Sequence, residues 1–152
     1  MKHLISILLL VIFMIGCSKE SKTYQYVTVS NDVLKSATQP KEHTFIERFS
    51  DYWEASSLND FEAAYAYELP YLNFLKSLDW YLDFKKTAKR RYNITLLEIT
   101  PDSKDDDIIY ARVHFDGKNL DVNLTEKWIF INDIWYHSYS QSILPPKPPK
   151  LH

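Results

Sequence analysis

Residues 127–137 read Lys-Trp-Ile-Phe-Ile-Asn-Asp-Ile-Trp-Tyr-His. Rings recur at every second position on both sides of Asn132-Asp133, with Trp128 and Phe130 before the turn and Trp135 and His137 after it, which is the pattern of two β-prone strands joined by a tight turn. Asn and Asp tolerate the left-handed backbone that such a turn needs, so the turn does not depend on glycine. The second strand is predicted to span 134–140, with three side chains on one face: Trp135, His137 and Tyr139. The stretch therefore predicts a β-hairpin with an aromatic face.

The period-two pattern extends upstream of this hairpin as far as Tyr92. A β-rich segment covers 92–100, and an acidic turn follows at 101–107. Apolar residues then alternate with polar ones over 109–115, and Asp116-Gly117 carries the sequence of a tight hairpin turn. These segments predict an antiparallel meander that leads into residues 127–137.

Upstream of the strands, from Lys41 onward, apolar residues recur at spacings of three and four, which predicts amphipathic helices. The first helix has five apolar side chains on one face: Phe45, Ile46, Phe49, Tyr52 and Trp53. Asn59 or Asp60 caps a second helix, and Pro70 stops or restarts it. A third helix runs to about Ala88 with an inward stripe of five residues: Tyr71, Phe74, Leu75, Leu78 and Leu82. Helices followed by a meander indicate an α+β fold.

The order of elements and the hairpin at 127–137 resemble the cone fold of nuclear transport factor 2, which ketosteroid isomerase shares. The resemblance covers residues 42–140 and implies N-terminal helices packed in a curved antiparallel β-sheet, a cystatin-like cone. It also implies a cavity at the open end, which family members use for isomerisation, dehydration or ligand binding, or fill with side chains. The candidates to line that cavity are Tyr52, Tyr65, Tyr67, His114, Glu126, Trp128, His137 and Tyr139.

Three functions remain open for such a domain, one of which is a structural spacer whose proline-rich tail serves as a peptide ligand for a partner. In a cavity enzyme of isomerase or dehydratase type, Glu126 or Asp116 would act as general base and His114 or His137 as acid, with a tyrosine hydroxyl stabilising an oxyanion. The catalytic Tyr-Asp-Asp pattern of ketosteroid isomerase, however, has no residue-by-residue match in this sequence. The leading hypothesis is therefore a non-enzymatic module that binds a protein or a small ligand, and the enzyme is the alternative.

The first sixteen residues have a short cationic start and an apolar run of twelve, the pattern of a secretory signal. Twelve helical residues rise about 18 Å, too little for a membrane span. The tetrad Met14-Ile15-Gly16-Cys17 resembles the lipobox of bacterial lipoproteins. That resemblance implies removal of a signal peptide, residues 1–16, and acylation of Cys17, so that the lipid bilayer becomes a partner.

The chain divides accordingly into four parts, of which the signal peptide at 1–16 is the first. A lipidated cysteine and a polar tether occupy 17–41, the α+β cone domain 42–140, and a proline-rich tail 141–152. The lipobox implies an anchor in a bacterial cell membrane or outer membrane, with the domain facing the periplasm or the exterior. The sequence leaves open which envelope protein or small ligand is bound, and whether the protein forms oligomers.

Composition excludes several other classes. The chain has 18 basic and 20 acidic residues, a balance that argues against nucleic-acid binding. Two glycines are too few for a glycine-rich phosphate loop, and no spacing of histidines or thiols predicts a metal site or a cofactor. One basic cluster stands out: Lys85, Lys86, Lys89, Arg90 and Arg91. The preferred interpretation is the solvated end of a helix. The alternative is a surface that contacts anionic lipid headgroups or an acidic partner.

Overall fold

The computed structural model of the chain describes residues 22–87 and 92–138. These residues form five helices and five strands. In chain order they are β1 (Val27–Val29), α1 (Asn31–Ser36), α2 (Pro40–Ser57), α3 (Phe61–Tyr65), α4 (Pro70–Leu75), α5 (Leu78–Lys86), β2 (Asn93–Pro101), β3 (Ile108–Gly117), β4 (Leu120–Ile131) and β5 (Ile134–His137). The predicted α+β fold is confirmed. The signal peptide, Cys17, Tyr139 and the proline-rich tail lie outside the described residues.

The five strands form one curled sheet in the order β1-β2-β3-β4-β5, packed against the helices. Strands β2 to β5 are antiparallel, as expected, whereas β1 runs parallel to β2 with Val27 opposite Ile94. A bulge shifts the register of β2 between Leu96 and Glu98, and a bulge bends the strand that carries it. The sheet therefore has the curvature of a cone-like fold.

Both predicted hairpins form, but Asp116-Gly117 is not the turn of the first one, because Gly117 ends β3 and pairs with Leu120. Ile131 pairs with Ile134 across a two-residue turn, in which Asn132 and Asp133 have φ values of 49° and 64°. This left-handed backbone twists with the same hand as the flanking strands. Lys118-Asn119 connects β3 to β4.

Helix α2 supplies the centre of the core. Its Phe45, Phe49 and Tyr52 are fully buried against β4 and β5. The Phe45 ring meets Trp128 and Trp135 edge-on, at centroid distances of 5.6 and 5.5 Å. Such edge-to-face pairs contribute beyond the apolar area they bury. The interior of the curved sheet is thus filled by aromatic rings from α2 and the hairpin.

The interpretation of residues 17–41 as a tether is wrong for 27–37, which fold onto the domain. Val27 of β1 and Val33 of α1 belong to the core cluster. Ser30 accepts a hydrogen bond from the Val33 N–H and so caps α1. The backbone N–H of Tyr26 donates to the Glu54 carboxylate of α2 at 2.9 Å. The β-prone sequence at Tyr24–Val29 favours a strand at the end of the tether, and β1 is that strand, whereas no periodicity marks α1.

The predicted third helix is also wrong, because the chain breaks at Lys76 and continues as α5. Lys76 has an extended backbone, and the Ser77 hydroxyl accepts from the Trp80 N–H to cap α5. Three residues of the predicted inward stripe are exposed instead: Tyr71 at 70%, Phe74 at 87% and Leu75 at 53%. The fully buried residue of α5 is Tyr81.

The outer edge of β5 meets the loop between α3 and α4. The His137 N–H donates to the Tyr67 carbonyl at 2.8 Å, and the Leu69 N–H donates to the His137 carbonyl at 3.1 Å. Arg48 of α2 donates from Nε to the Trp135 carbonyl at 3.1 Å. These contacts place Glu68, between Tyr67 and Leu69, directly beside the end of β5.

Candidate functional site

A buried carboxylate lies where the helices meet the last strand. Glu68 is 0% exposed. Its Oε1 accepts hydrogen bonds from the hydroxyls of Tyr52 on α2, at 3.0 Å, and Tyr81 on α5, at 3.1 Å. His137 Nδ1 lies 3.0 Å from Oε2 and donates to it, because a carboxylate can only accept. Three elements distant in sequence therefore converge on one side chain.

A second carboxylate faces the other side of the imidazole. Glu126 Oε1 of β4 lies 3.9 Å from His137 Nε2. Trp53 Nε1 donates to Glu126 Oε2 at 3.1 Å. Trp128 Nε1 lies near enough to lower the pKa of Glu126 but does not reach hydrogen-bond geometry. His137 thus lies between two carboxylates, and Glu68 fixes the orientation of its ring.

Six residues make up this Glu68 cluster, as we call it below: Tyr52, Glu68, Tyr81, Lys85, Glu126 and His137. Burial alone would lower the pKa of His137, but the charge and hydrogen bond of Glu68, with Glu126, outweigh it and raise that pKa above 6.5. Burial raises the pKa of Glu126 above 4.5, although His137 and two indole N–H groups oppose the shift. Both shifts favour the protonated form of the group concerned.

Burial and the two carboxylates also shift the pKa values of Tyr52 and Lys85. Burial, followed by the negative charge of Glu68, raises the pKa of Tyr52 well above 10, which keeps its hydroxyl a donor. Burial lowers the pKa of Lys85 below 10.5, against the attraction of Glu68 and Glu126. Lys85 lies in the last turn of α5, as expected, but it is half-buried rather than solvated.

The protein's own side chains fill the space around the imidazole. Three rings surround His137, with centroid distances of 4.6 Å to Tyr52, 5.2 Å to Trp128 and 6.3 Å to Trp53. The side chains of His137 and Glu126 are only 8% and 10% exposed. Aromatic rings and the second carboxylate therefore surround the imidazole.

The structure brings four of the sequence candidates together: Tyr52, Glu126, Trp128 and His137. Tyr67 packs beside Tyr52 at 6.2 Å, and Tyr65 contacts Tyr81 at 5.1 Å between ring centroids. His114 lies on the opposite face of the sheet, because it alternates with the buried Val113 and Phe115 of β3, so its place among the cavity candidates is corrected. Asp116 is exposed, and Tyr139 lies outside the described residues.

Sequence reasoning missed Glu68, Tyr81 and Lys85. One signal pointed to Glu68, since it is the only charged residue between Glu62 and Lys76. An isolated charge in an apolar segment is often buried with a partner. No comparable signal marked Tyr81, because its inward position depends on the helix break at Lys76.

A shallow groove of about 290 Å³ lies between α2 and the turn of the β4–β5 hairpin. Its lining residues are Thr44, Glu47, Arg48, Asp51, Asp133, Ile134 and Trp135. The Arg48 guanidinium stacks over the Tyr67 ring at 4.0 Å and is held by the Trp135 carbonyl. The groove therefore presents a fixed cation beside acidic side chains.

Comparisons with protein-family models, curated proteins and solved structures found no match. Within residues 22–87 and 92–138, no group of three or more His, Cys, Asp or Glu side chains is placed to hold a metal ion. In the same part of the chain, no helix is both long enough and apolar enough to cross a membrane.

Proposed function

We propose that the protein is a bacterial envelope lipoprotein, anchored through acylated Cys17, whose domain binds a protein or small ligand without catalysis. One observation carries the non-enzymatic part: the hydrogen bonds of the Glu68 carboxylate come from the protein's own donors. Three donors reach Glu68, and three rings and Glu126 surround His137. Interlocked polar groups of this kind hold a core in one arrangement and leave the outer surface for contacts.

The proposed anchor is tested by asking whether Cys17 is acylated. Mass spectrometry of the protein from the membrane fraction should show an N-terminal diacylglyceryl-cysteine peptide. Cys17→Ala should abolish the modification and move the protein out of its normal membrane fraction. Acyl chains bind by burying CH₂ groups at about 0.8 kcal/mol each, so loss of the lipid removes the anchor. Detection of an unacylated wild-type protein outside the membrane would overturn this part of the proposal.

Binding of a partner protein is tested by photo-crosslinking in intact envelopes. A photoreactive residue at the exposed Thr44 probes the groove between α2 and the hairpin. The matched control is the exposed Asn123, on the opposite face of the sheet from the buried interior. A single product at Thr44 that is absent at Asn123 supports an interaction module. Identical background at both positions contradicts client binding in this groove.

The alternative, a cavity enzyme, is favoured by the 3.9 Å approach of Glu126 to His137 and by the raised pKa of both groups. A thermal-shift screen of residues 18–152 against envelope metabolites separates the two functions. A ligand at a hundredfold excess over its Kd stabilises the folded state by about 2.7 kcal/mol. A compound that the wild type turns over and Glu126→Gln does not would establish the enzyme. A ligand that stabilises both proteins equally supports the binding module.

A further inference from the structure

Strand β1 lies at one edge of the sheet and pairs with β2 on one side. The Ile94 N–H donates to the Tyr26 carbonyl at 2.8 Å, and the Ser30 N–H donates to the Leu96 carbonyl at 3.0 Å. Backbone groups of successive residues in a strand point to alternate sides. Residues 26, 28 and 30 therefore bond to β2, and the residues between them point their backbone groups outward.

These outward groups are the N–H and carbonyl of Val27 and of Val29. In the part of the chain that the structure describes, no hydrogen bond reaches any of them. The edge formed by β5 differs, because the outward N–H and carbonyl of His137 bond to the loop between α3 and α4. An edge with unpaired backbone groups is a template for another strand. The β1 edge is therefore a candidate interaction surface.

The sequence of this edge lacks the features that protect open strands. Exposed edges commonly carry charged side chains or proline, which hinder pairing with other molecules. Residues 23–31 read Thr-Tyr-Gln-Tyr-Val-Thr-Val-Ser-Asn, with no charge, proline or glycine. Val29 packs against the core cluster but is only half-buried. A further strand beside β1 would pair its backbone and cover more of Val29.

The β1 edge is complementary to itself when two copies run antiparallel. A two-fold axis at Thr28 places Val27 of each copy opposite Val29 of the other, because these residues are two positions apart. Residues opposite each other at a hydrogen-bonded position of an antiparallel pair exchange both N–H···O bonds. Every outward group of both copies is then paired. The exposed Thr28 faces its own counterpart at the axis, and cross-strand threonine pairs are favourable.

The charges that flank the uncharged run favour the same arrangement. Lys22 precedes the run and Asp32 follows it, and both are exposed. Lys22 also contacts Asp51 at 2.9 Å, and its side chain remains 67% exposed. Antiparallel pairing brings the Lys22 end of one copy beside the Asp32 end of the other. Parallel pairing would bring like charges together instead.

We propose that two copies of the chain associate by antiparallel pairing of β1 about a two-fold axis at Thr28. The two five-stranded sheets then form one continuous sheet of ten strands. The contact uses the β1 edge of both copies, so the assembly closes at two. It goes beyond the proposed function and does not require it, but anchoring both copies in one bilayer would raise their local concentration.

Disulfide formation at the axis tests the pairing. Residues 18–152 retain the core cluster, which lies between Val27 and Trp135, and contain no cysteine, because Cys17 is the only one in the protein. At the axis the two Cα atoms of Thr28 would lie about 4.5 Å apart, within disulfide range. Thr28→Cys should therefore form a covalent dimer about tenfold faster than Thr44→Cys, which replaces an exposed threonine of α2. Equal rates, corrected for the reactivity of each thiol with a soluble reagent, would overturn the proposal.

Charge substitutions at the same position give an independent test by sedimentation velocity. Thr28→Lys places two ammonium groups opposite each other and should weaken association about fivefold, with a smaller effect at high salt. Thr28→Asp should weaken it similarly, and mixing the two variants should restore the dimer because opposite charges then face each other. The neutral control Thr28→Val should associate like the wild type. A dimer that ignores these charges, or that mixing does not restore, contradicts the two-fold axis at Thr28.

Hydrogen exchange at the amides of Val27 and Val29 identifies any other state of the edge. In the proposed dimer these amides should exchange more slowly as the protein concentration rises. Slow exchange in a protein that stays monomeric at every concentration means that another segment of the same chain covers β1. Fast exchange in such a monomer means that the edge stays open. Either result overturns the proposal, and neither bears on acylation of Cys17 or on binding at the groove beside Thr44.

Discussion

Glu68 and His137 form a buried ion pair, with Glu68 Oε2 3.0 Å from His137 Nδ1 across 69 positions of sequence. The contact joins the loop before α4 to the last residue of β5. Taking charges out of water is costly, and the cost is offset only while both partners remain and their other hydrogen bonds are made. The pair therefore couples the stability of the helices to that of the last strand.

Glu68→Gln should lower the free energy of unfolding by about 3 kcal/mol, because it leaves a protonated His137 without its partner inside the core. Urea denaturation monitored by tryptophan fluorescence measures the change. The matched control is Glu98→Gln, which breaks an ion pair with Arg112 whose side chains are 54% and 52% exposed. That substitution should cost less than about 1 kcal/mol. Equal losses in the two variants would contradict the buried pair.

Stability should depend on pH through His137, whose folded pKa is raised above 6.5. The raised pKa gives a stabilisation that is complete below the unfolded value and is lost as pH rises through the folded pKa. The raised pKa of Glu126 acts in the same direction from 4.5 upward. We therefore expect wild-type stability to fall relative to His137→Gln as pH rises above about 6.5.

Urea titrations at several pH values measure this difference. His43→Gln is the control, since His43 is exposed on α2 and should give a curve parallel to the wild type. If His137→Gln also runs parallel to the wild type, the two carboxylates do not hold a proton on the imidazole.

Val33→Ala tests the finding that α1 belongs to the domain. Val33 is 2% exposed and packs in the core, so its truncation should cost about 2 kcal/mol by leaving a cavity. Its neighbour Leu34 is 51% exposed, and Leu34→Ala should change stability by less than about 0.5 kcal/mol. Thermal unfolding of both variants is sufficient. A flexible tether would give no effect at either position.

Substitutions at Asp133 test the turn of the last hairpin. With φ at 64°, Asp133→Val should destabilise the fold by about 1–2 kcal/mol, because a branched side chain collides with the backbone there. Asp133→Gly should be neutral or stabilising. Asp121→Val, at an exposed position of β4, controls for the loss of an acidic group and should be tolerated. Thermal unfolding compares the three variants, and equal loss in Asp133→Val and Asp121→Val would argue against backbone strain.

The elements that were predictable from sequence are those whose periodicity reflects burial on one face. The alternation over 109–115 and the stripe of α2 each follow from contact with one core, and both are confirmed. Pairing of β1 with β2 joins Val27 to Ile94, far along the chain, and no local pattern encodes such a contact. The break at Lys76 depends on capping by Ser77, which competes with an apolar spacing that also fits a continuous helix.

The site was predictable in part for the same reason. Glu126, Trp128 and His137 lie on inward positions of regular strands, so alternation places them together. Glu68 lies in a loop, where side-chain direction depends on the tertiary structure rather than on a period. Periodicity therefore did not identify Glu68, the member of the cluster with the most hydrogen bonds, and its isolated charge was the one signal for it.

The outer edge of β5 is covered by hydrogen bonds, and this matters where many copies of the protein lie close together. Three of its outward backbone groups, the Trp135 carbonyl and the N–H and carbonyl of His137, already bond to Arg48, Tyr67 and Leu69. Open edges are where neighbouring molecules add strands and begin to grow fibrils. The aromatic run of β4 lies inside the sheet, between β3 and β5. The loop containing Glu68 thus also keeps the outer edge of β5 from pairing with strands of other molecules.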